Sequence, residues 1–300
     1  WLVRLSRRNS AGHFSLRGRV NNTILIFKIQ TGWQIMQIRQ IRNATIKIHY
    51  GGKIFLVDPW LAPKDGFGCF ARLPESIPFK TPDSQKTFIS MPICPLPTTV
   101  DEILADVDNY IVTHIHPDHI DMEMDGTVGN MLNKETPVLV QNDEDAQVFV
   151  RSGFKDVRIL PQSGLSIGEI TVTNVPARHG VTIPCGSAMG FMMEGEEKTL
   201  YLAGDTVWYE QVEENLRRFQ PDVIILNACA AELVDFGRLI MDAEDVAQVT
   251  THAPEADIII SHMDNVAHAS LSRTSLSEQL ELQNLLSRVK IPADGETLSF

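Results

Sequence analysis

One stretch of twelve residues, "YIVTHIHPDHID" at 110–121, constrains this chain more than any other part of its sequence. Apolar β-forming residues run directly into three histidines and two aspartates, so metal-binding side chains accumulate where a buried strand ends. Residues two apart in an extended backbone point the same way, so His114 and His116 project together. The proline after them ends the strand, and the following turn can direct Asp118 and His119 away from that pair. The pattern therefore predicts a site that offers ligands to two ions.

Three later residues supply what this cluster lacks. His179 lies in "VPARHG", Asp205 in "LYLAGD" and His262 in "IIISH", each at the end of an apolar strand. Taken singly, such a histidine is more often structural, and an aspartate after glycine is often a turn or cap residue. All three follow the cluster at strand ends, however, where ligand sites are commonly built. They are therefore predicted to be ligands as well.

Together these motifs, "HIHPDH", "RHG", "AGD" and "SHMD", resemble those of the metallo-β-lactamase superfamily of metal-dependent hydrolases. The resemblance covers approximately residues 44–300. It implies an α/β fold, an αββα sandwich of two mixed β-sheets flanked by helices, with a dinuclear metal site at one edge. Carried over by motif, the first metal ligands are His114, His116 and His179. The second set is Asp118, His119 and His262, with Asp205 bridging the two ions.

Within the superfamily, the chain is most similar to the branch that contains L-ascorbate-6-phosphate lactonase. The shared features are "LVDPW", the Pro-rich stretch before the histidine cluster, and "HMDNVAHASLSR" near the carboxyl terminus. No cluster of basic residues accompanies these motifs. The sequence therefore gives no support for a phosphorylated substrate.

The predicted chemistry is hydrolysis by a metal-bound hydroxide. Two divalent ions can share a water molecule and lower its pKa from about 15.7 toward 7. The imidazole and carboxylate ligands suit zinc best, while manganese and iron are compatible. Such a site would cleave a small ester, lactone or phosphodiester. Asp118 would also orient the attacking water or accept its proton, and His268 would contact substrate or act as an acid.

Other residues are assigned to the surroundings of the site. Asp58 is either a hydrogen-bond acceptor for a ligand imidazole or a turn residue before proline. Trp60 and the Pro-rich loop that follows it either roof the site or pack inward as ordinary loop residues. Arg178 either binds an anionic substrate or pairs with structural acidic groups, and Asn227 is expected to line the cleft. The aromatic residues of the loop are Phe67, Phe70 and Phe79.

Two alternative functions stay open at the sequence level. One is a di-iron protein of redox or oxygen chemistry on the same fold, which would normally require a flavin-containing partner domain. The other is a binding protein that has kept the fold and lost the chemistry. The intact ligand set favours an enzyme over the second alternative.

The composition restricts the partners. The formal charge of −12 argues against nucleic acid, because phosphate contacts need clustered lysine and arginine. No apolar run approaches the roughly 20 residues that span a membrane. The four cysteines are scattered, which favours free thiols, a reducing compartment and a cytoplasmic location. A small-molecule substrate is expected, and a homo-oligomer is compatible with the sequence.

The first 35 residues differ from the rest because they carry six basic and no acidic side chains. Such a leader is either a targeting peptide or sequence upstream of a natural start at Met36. We expect it to lie outside the fold and to pack poorly or be disordered. Residues 36–300 are predicted to form a single hydrolase domain.

Hydrophobic periodicity predicts strands early in that domain and strand–helix alternation late. A hairpin is expected at 44–60, a long irregular connection at 60–99, and a second hairpin turning near Gly195. Helices are expected at "VDEILADVD", "WYEQVEENLRRFQ", "DAEDVAQVTTHA" and "SLSEQLELQNLLSRV". Sheets covered by helices, and hence a mixed α/β fold, follow from this order.

Overall fold

The computed structural model describes residues 14–20, 23–29, 35–73 and 79–300. The chain divides into two units, Trp1–Ile35 and Met36–Phe300. In the first unit, strands β1 (Phe14–Val20) and β2 (Thr23–Ile29) form an antiparallel hairpin, which the sequence analysis did not predict. The other residues of the basic segment, and with them part of the prediction made for it, lie outside the described residues.

The second unit contains sixteen strands and five α-helices among its described residues. The strands are β3 (Gln37–Arg42), β4 (Thr45–Tyr50), β5 (Lys53–Val57), β6 (Asn109–Ile111), β7 (Val138–Val140), β8 (Val157–Ile159), β9 (Leu165–Ile167), β10 (Ile170–Ala177), β11 (Ala188–Glu194), β12 (Leu200–Leu202), β13 (Val223–Asn227), β14 (Glu232–Leu233), β15 (Gly237–Arg238), β16 (Asp257–Ser261), β17 (Val289–Lys290) and β18 (Thr297–Ser299). The helices are α1 (Val100–Leu104), α2 (Asp143–Arg151), α3 (Glu210–Phe219), α4 (Ala243–His252) and α5 (Arg273–Leu282).

Two seven-stranded sheets share one plan. The first has the order β18-β3-β4-β5-β6-β7-β8, and the second has the order β17-β16-β13-β12-β11-β10-β9. Each sheet contains an antiparallel meander, β3 to β5 in one and β9 to β12 in the other, and continues with parallel strands. Because parallel strands end at the same edge, both sheets deliver loops from strand carboxyl ends to one side of the molecule.

The layers follow from the alternation of side chains along central strands. In β13, Val223 and Ile225 pack between the two sheets, whereas Ile224 and Leu226 pack under the helices on the outer face. Helix α2 covers the opposite face of the first sheet through Phe149. Strands with both faces buried are typical of such sandwiches. The predicted αββα arrangement of two mixed sheets flanked by helices is confirmed.

Most of the predicted elements are present. Strands β4 and β5 form the first predicted hairpin, and β11 and β12 form the one that turns near Gly195. The described residues of 60–99 contain only two short 3-10 turns, Phe70–Arg72 and Lys86–Phe88. The last helix was predicted too long, since α5 ends at Leu282 and Asn284 adopts a left-handed φ of 59°. Helix α2 and strand β3 were not predicted.

No helix among the described residues is both long and apolar enough to cross a membrane.

Candidate metal centre

All seven predicted ligands meet at the edge where strands of both sheets end. The segment after β6 supplies the cluster at 114–119, while β10, β12 and β16 each lead into one further ligand. The ligand atoms form three overlapping groups, in each of which they lie within 4.8 Å of one another. These groups are His114–His116–His179, His114–His119–Asp205 and Asp118–His119–His262.

The first group, here called the first triad, consists of His114, His116 and His179. The distance from His114 Nε2 to His116 Nδ1 is 3.0 Å, and that from His179 Nε2 to the same atom is 3.4 Å. His179 Nδ1 donates to the main-chain oxygen of Leu239 at 3.1 Å, so its Nε2 atom is free to bind a cation. His114 Nδ1 lies 3.1 Å from the hydroxyl of Thr113. The triad therefore directs three imidazole nitrogens at one point.

The second triad consists of Asp118, His119 and His262. His262 Nε2 lies 3.2 Å from His119 Nε2 and 3.3 Å from Asp118 Oδ2. On its other side, His119 Nδ1 donates to Asp58 Oδ2 at 2.8 Å. His119 and His262 are fully buried, whereas Asp118 is partly exposed to a cavity. This triad differs from the first in carrying a carboxylate.

Asp205 stands between the two triads. Its Oδ2 atom lies 3.2 Å from His119 Nε2 and 3.6 Å from His179 Nε2, so it reaches a member of each triad. Its Oδ1 atom accepts a hydrogen bond of 2.7 Å from Asn227 Nδ2, which fixes the plane of the carboxylate. Asp205 therefore lies within reach of both triads, and its bridging role stays a prediction.

The electrostatic environments of the two triads are opposite. In the first triad, burial lowers the pKa of His114 far below its usual value. Burial and the nearby His179 together lower the pKa of His116 to about 4. In the second triad, burial opposes protonation of His119, but the charges of Asp205 and Asp58 outweigh it and raise the pKa to about 10. The second triad therefore lies in a field that strongly favours positive charge.

These side chains fit divalent cations. A neutral imidazole has one N–H group, and His179 and His119 each donate theirs away from the centre. The remaining nitrogen of each ring, Nε2, lies 3.2–3.6 Å from Asp205 Oδ2, so the space between nitrogen and carboxylate favours a positive charge, either a proton or a metal cation. Nitrogen and carboxylate ligands suit zinc, iron and manganese alike.

Asp58 accepts hydrogen bonds on both carboxylate oxygens. Besides His119, it accepts from the Thr113 main-chain N–H and hydroxyl, both at 2.7 Å. It follows β5 in the left-handed region with a φ of 44° and is completely buried. Of the two interpretations of Asp58 that the sequence left open, the structure shows the first, in which its carboxylate accepts a hydrogen bond from an imidazole, that of His119.

Two supporting residues were missed by the sequence analysis. Asn43 Nδ2 donates to the Asp118 main-chain oxygen at 3.0 Å and lies 3.3 Å from His262 Nε2. Cys229 Sγ lies 3.6 Å from His262 Nδ1. Asn43 occupies the turn between β3 and β4, where an asparagine signals only a turn. Cys229 follows β13 with no motif around it, so neither residue carried a usable signal.

A small apolar cavity opens onto the cluster. This inner cavity has a volume of about 60 Å³ and contains Asp118, Asp205 and two residues of the first triad. A second cavity of about 50 Å³, here called the neck, shares His268, Asp118 and aromatic residues with it. Neither has a lysine or arginine among its described lining residues. The remaining lining residues of the inner cavity are Phe70, Phe79, Pro117, Cys185, Ala231, Leu233, Leu239 and His268.

The structure brings some of the predicted substrate residues to this cavity and not others. His268 lines it, with Nε2 at 3.8 Å from Asp118 Oδ2, and burial lowers its pKa to about 4. Trp60 lines the neck, but it is 1% exposed and belongs to the hydrophobic core, against which the aromatic side chains of its loop also pack. Arg178 is exposed and is not among the lining residues, while Asn227 contacts Asp205 instead of the cavity. The loop residues in contact with the neck are Phe67, Phe70 and Phe79.

Comparison with known proteins shows the family of this chain. The model of the β-lactamase superfamily domain matches residues 55–263. The UPF0173 protein YddR of Bacillus subtilis (strain 168) is 38% identical over 270 residues, which cover 88% of this chain and all of YddR. None of the matches named here is a lactonase, so the resemblance to the lactonase branch is not confirmed.

Two solved structures are similar throughout. A possible metal-dependent hydrolase from Veillonella parvula DSM 2008 is 35% identical with a TM-score of 0.79, covering 89% of this chain and 100% of that one. An isothiocyanate hydrolase from Delia radicum gut bacteria is 33% identical with a TM-score of 0.78, covering 88% of this chain and 99% of that one. Both likenesses cover most of this chain.

Proposed function

Because the chain belongs to the UPF0173 metal-dependent hydrolases of the β-lactamase superfamily, we propose that it hydrolyses small neutral substrates at a dinuclear metal centre. The observation that carries this proposal is the position of Asp205 between two complete triads. The first triad would hold one ion and the second triad the other, with Asp205 in contact with both. Divalent ions in such a site lower the pKa of a water molecule toward neutrality and so supply hydroxide.

The side chains around the cluster have distinct tasks in this proposal. Asp118 lines both the inner cavity and the neck, and its carboxylate is held anionic because His262 and the neighbouring histidines keep its pKa well below the usual range, against the effect of burial. We assign it to orient the attacking water and accept its proton. His268, within 4 Å of Asp118, is assigned to hold the polar atom of the substrate. Asn227 and Asp58 fix the orientation of Asp205 and His119.

The walls of the cavity favour an uncharged substrate. The residues around the cluster are mostly apolar, and the described lining residues include no lysine or arginine that would bind a phosphate or carboxylate beside the metal centre. The relative with isothiocyanate hydrolase activity makes isothiocyanates the first neutral class to test, followed by lactones and esters. Addition of water to the central carbon of R–N=C=S and cleavage of the C–N bond would release an amine and carbonyl sulfide. Phosphodiesters are disfavoured by the same cavity.

The test combines metal analysis with a substrate panel. Protein purified without added metal is analysed by mass spectrometry, and turnover is measured for allyl isothiocyanate, γ-butyrolactone, p-nitrophenyl acetate and bis(p-nitrophenyl) phosphate. We expect about two ions per chain and turnover of a neutral substrate. His268→Ala should lower turnover about a hundredfold without loss of metal. His252→Ala, on the outer helix α4, is the matched control.

Three outcomes would contradict the proposal. Failure to bind metal even after reconstitution would remove the centre. Turnover restricted to the phosphodiester would refute the neutral substrate. Two equivalents of iron without hydrolysis of any substrate would support the alternative of redox or oxygen chemistry instead.

A further inference from the structure

A large groove adjoins the inner cavity and the neck. This outer groove has a volume of about 630 Å³, against about 60 and 50 Å³ for the two inner spaces. Phe79 and Pro117 line all three, and Trp60, Phe67 and Leu73 line both the neck and the groove. The three spaces therefore share walls, with the inner cavity at the metal ligands and the outer groove beyond the neck.

Methionines form the outer wall of this groove. Met122, Met124 and Met131 all line it, and Met124 is fully exposed to solvent, with Met122 at 44%. Apolar side chains gathered on a surface usually mark a binding site. The flexible thioether of methionine adapts to apolar partners of different shapes.

The polar residues of the groove are already hydrogen-bonded to the protein. Asp121 accepts from the main-chain N–H groups of Leu61 and Ala62 at 2.9 and 2.8 Å. Glu123 accepts from the Asn130 side-chain amide. No lysine or arginine is found among the described lining residues. Recognition in the groove is therefore left to apolar contact, and an anionic ligand finds no counter-charge.

We propose that the outer groove binds an extended apolar, uncharged substituent of the substrate whose reacting group enters the inner cavity. The inner spaces are large enough for only a few heavy atoms, whereas the groove can accept a long alkyl or arylalkyl chain. The proposal rests on the proposed function, since it names the class of substrate for the same centre. Met122 and Met124 are its specificity-determining residues.

The first measurement is a chain-length series. Methyl, propyl, butyl and hexyl isothiocyanates are compared with the metal-loaded full chain, and kcat and KM are determined separately. We expect KM to fall about fourfold for each added methylene group, the ratio for transfer of one methylene group out of water, while kcat changes little.

Charged substitutions in the groove test the assignment of the two methionines. Met122→Glu and Met124→Glu should each lower the ratio of kcat/KM for the hexyl over the methyl compound at least fivefold. Met124→Leu keeps an apolar side chain and should preserve the ratio. Leu282→Glu is the matched control, since Leu282 is 85% exposed on α5 and lies outside the groove.

Binding of the neutral fluorescent probe N-phenyl-1-naphthylamine separates this inference from the proposed hydrolysis. Saturable binding that Met124→Glu weakens and hexyl isothiocyanate displaces supports the groove as an apolar site. If the same binding is seen but no isothiocyanate is hydrolysed, the groove stands and hydrolysis of this class is refuted. Absence of probe binding, or a kcat/KM independent of chain length, overturns the inference.

Discussion

The two triads are built from similar side chains but are held in different ways. The first is supported by main chain and by an adjacent residue, since His179 rests on the Leu239 carbonyl and His114 on its neighbour Thr113. The second is supported by two further side chains, with Asp58 on His119 and Asn43 beside His262. Each triad joins residues that follow β6 of the first sheet to a histidine that follows a strand of the second sheet, so both depend on the assembly of the two sheets. The second triad is in addition held by the Asp58 carboxylate and the Asn43 amide.

The two triads also differ in their electrostatic environments. Burial keeps the first triad neutral, so it can accept a cation without first losing a proton. The second triad contains Asp118 and lies against Asp58 and Asp205, whose charges raise the pKa of His119 to about 10. A cation that binds at the second triad would displace the proton of His119 from a negatively charged environment. The two positions are thus chemically unequal, although they share Asp205.

Asp205→Ala should have the largest effect because it removes the one predicted ligand that lies within reach of both triads. Turnover of the best substrate should fall roughly a thousandfold, since metal ions contribute several kcal/mol to such reactions. Metal content should drop at both positions, which mass spectrometry and steady-state kinetics would establish. The exposed Asp101→Ala, on α1, is the control. Retention of both ions in Asp205→Ala would show that the triads bind independently.

His116→Ala and His262→Ala compare the triads directly. Each should lose about one ion per chain, but their stabilities without metal should differ. His262 is 1% exposed and contacts Asn43 and Asp118, so its loss leaves a buried gap and unpaired polar groups costing about 2–4 kcal/mol. His116 borders the inner cavity, so its replacement by alanine should lower the free energy of unfolding by about 1 kcal/mol or less.

Thermal unfolding in the presence of a chelator, together with metal analysis, checks this pair. Equal losses of stability would mean that the contacts of His262 with Asn43 and Asp118 add nothing to the stability of the metal-free protein. Loss of both ions from either variant would mean that the two positions fill only together.

The difference between the triads also explains what could be predicted from the sequence. The predicted ligands follow apolar strands within short motifs, and the structure brings all seven of these side chains together. Asn43 was missed because it contacts His262 across 219 residues, and only the packing of both sheets brings them together. Asn227 was placed in the cleft, although the direction in which it leaves β13 turns it toward Asp205. Periodicity finds elements, while side-chain partners depend on tertiary structure.

Asp58→Asn should affect the second triad selectively. The substitution keeps the size of the side chain but removes the charge that orients His119 and raises its basicity. Loss of such a hydrogen-bonded partner typically costs 10–100-fold in metal affinity. Competition with a chromogenic chelator should show weaker binding of one ion and an unchanged second. Equal weakening of both ions would show that Asp58 acts on the whole centre through the shared Asp205.

Cys229→Ala should have the smallest effect, and it tests whether a sulfur atom belongs to the ligands of the second triad. The thiol lies 3.6 Å from His262 Nδ1, on the side of the ring away from Asp118, so it can only orient the imidazole. A thiol is a weak hydrogen-bonding group, and we expect less than a threefold change in metal affinity. Its complete burial predicts a loss of about 1 kcal/mol in stability from the small cavity.

Cys94→Ala, at a partly buried site away from the cluster, is the control for that stability measurement. If Cys229→Ala instead weakened one ion by more than tenfold, the sulfur would be a ligand in its own right. The second triad would then contain a soft donor, which would favour zinc over manganese. A change below threefold leaves the carboxylate as the only chemical difference between the two ligand sets, which is the difference that the geometry indicates.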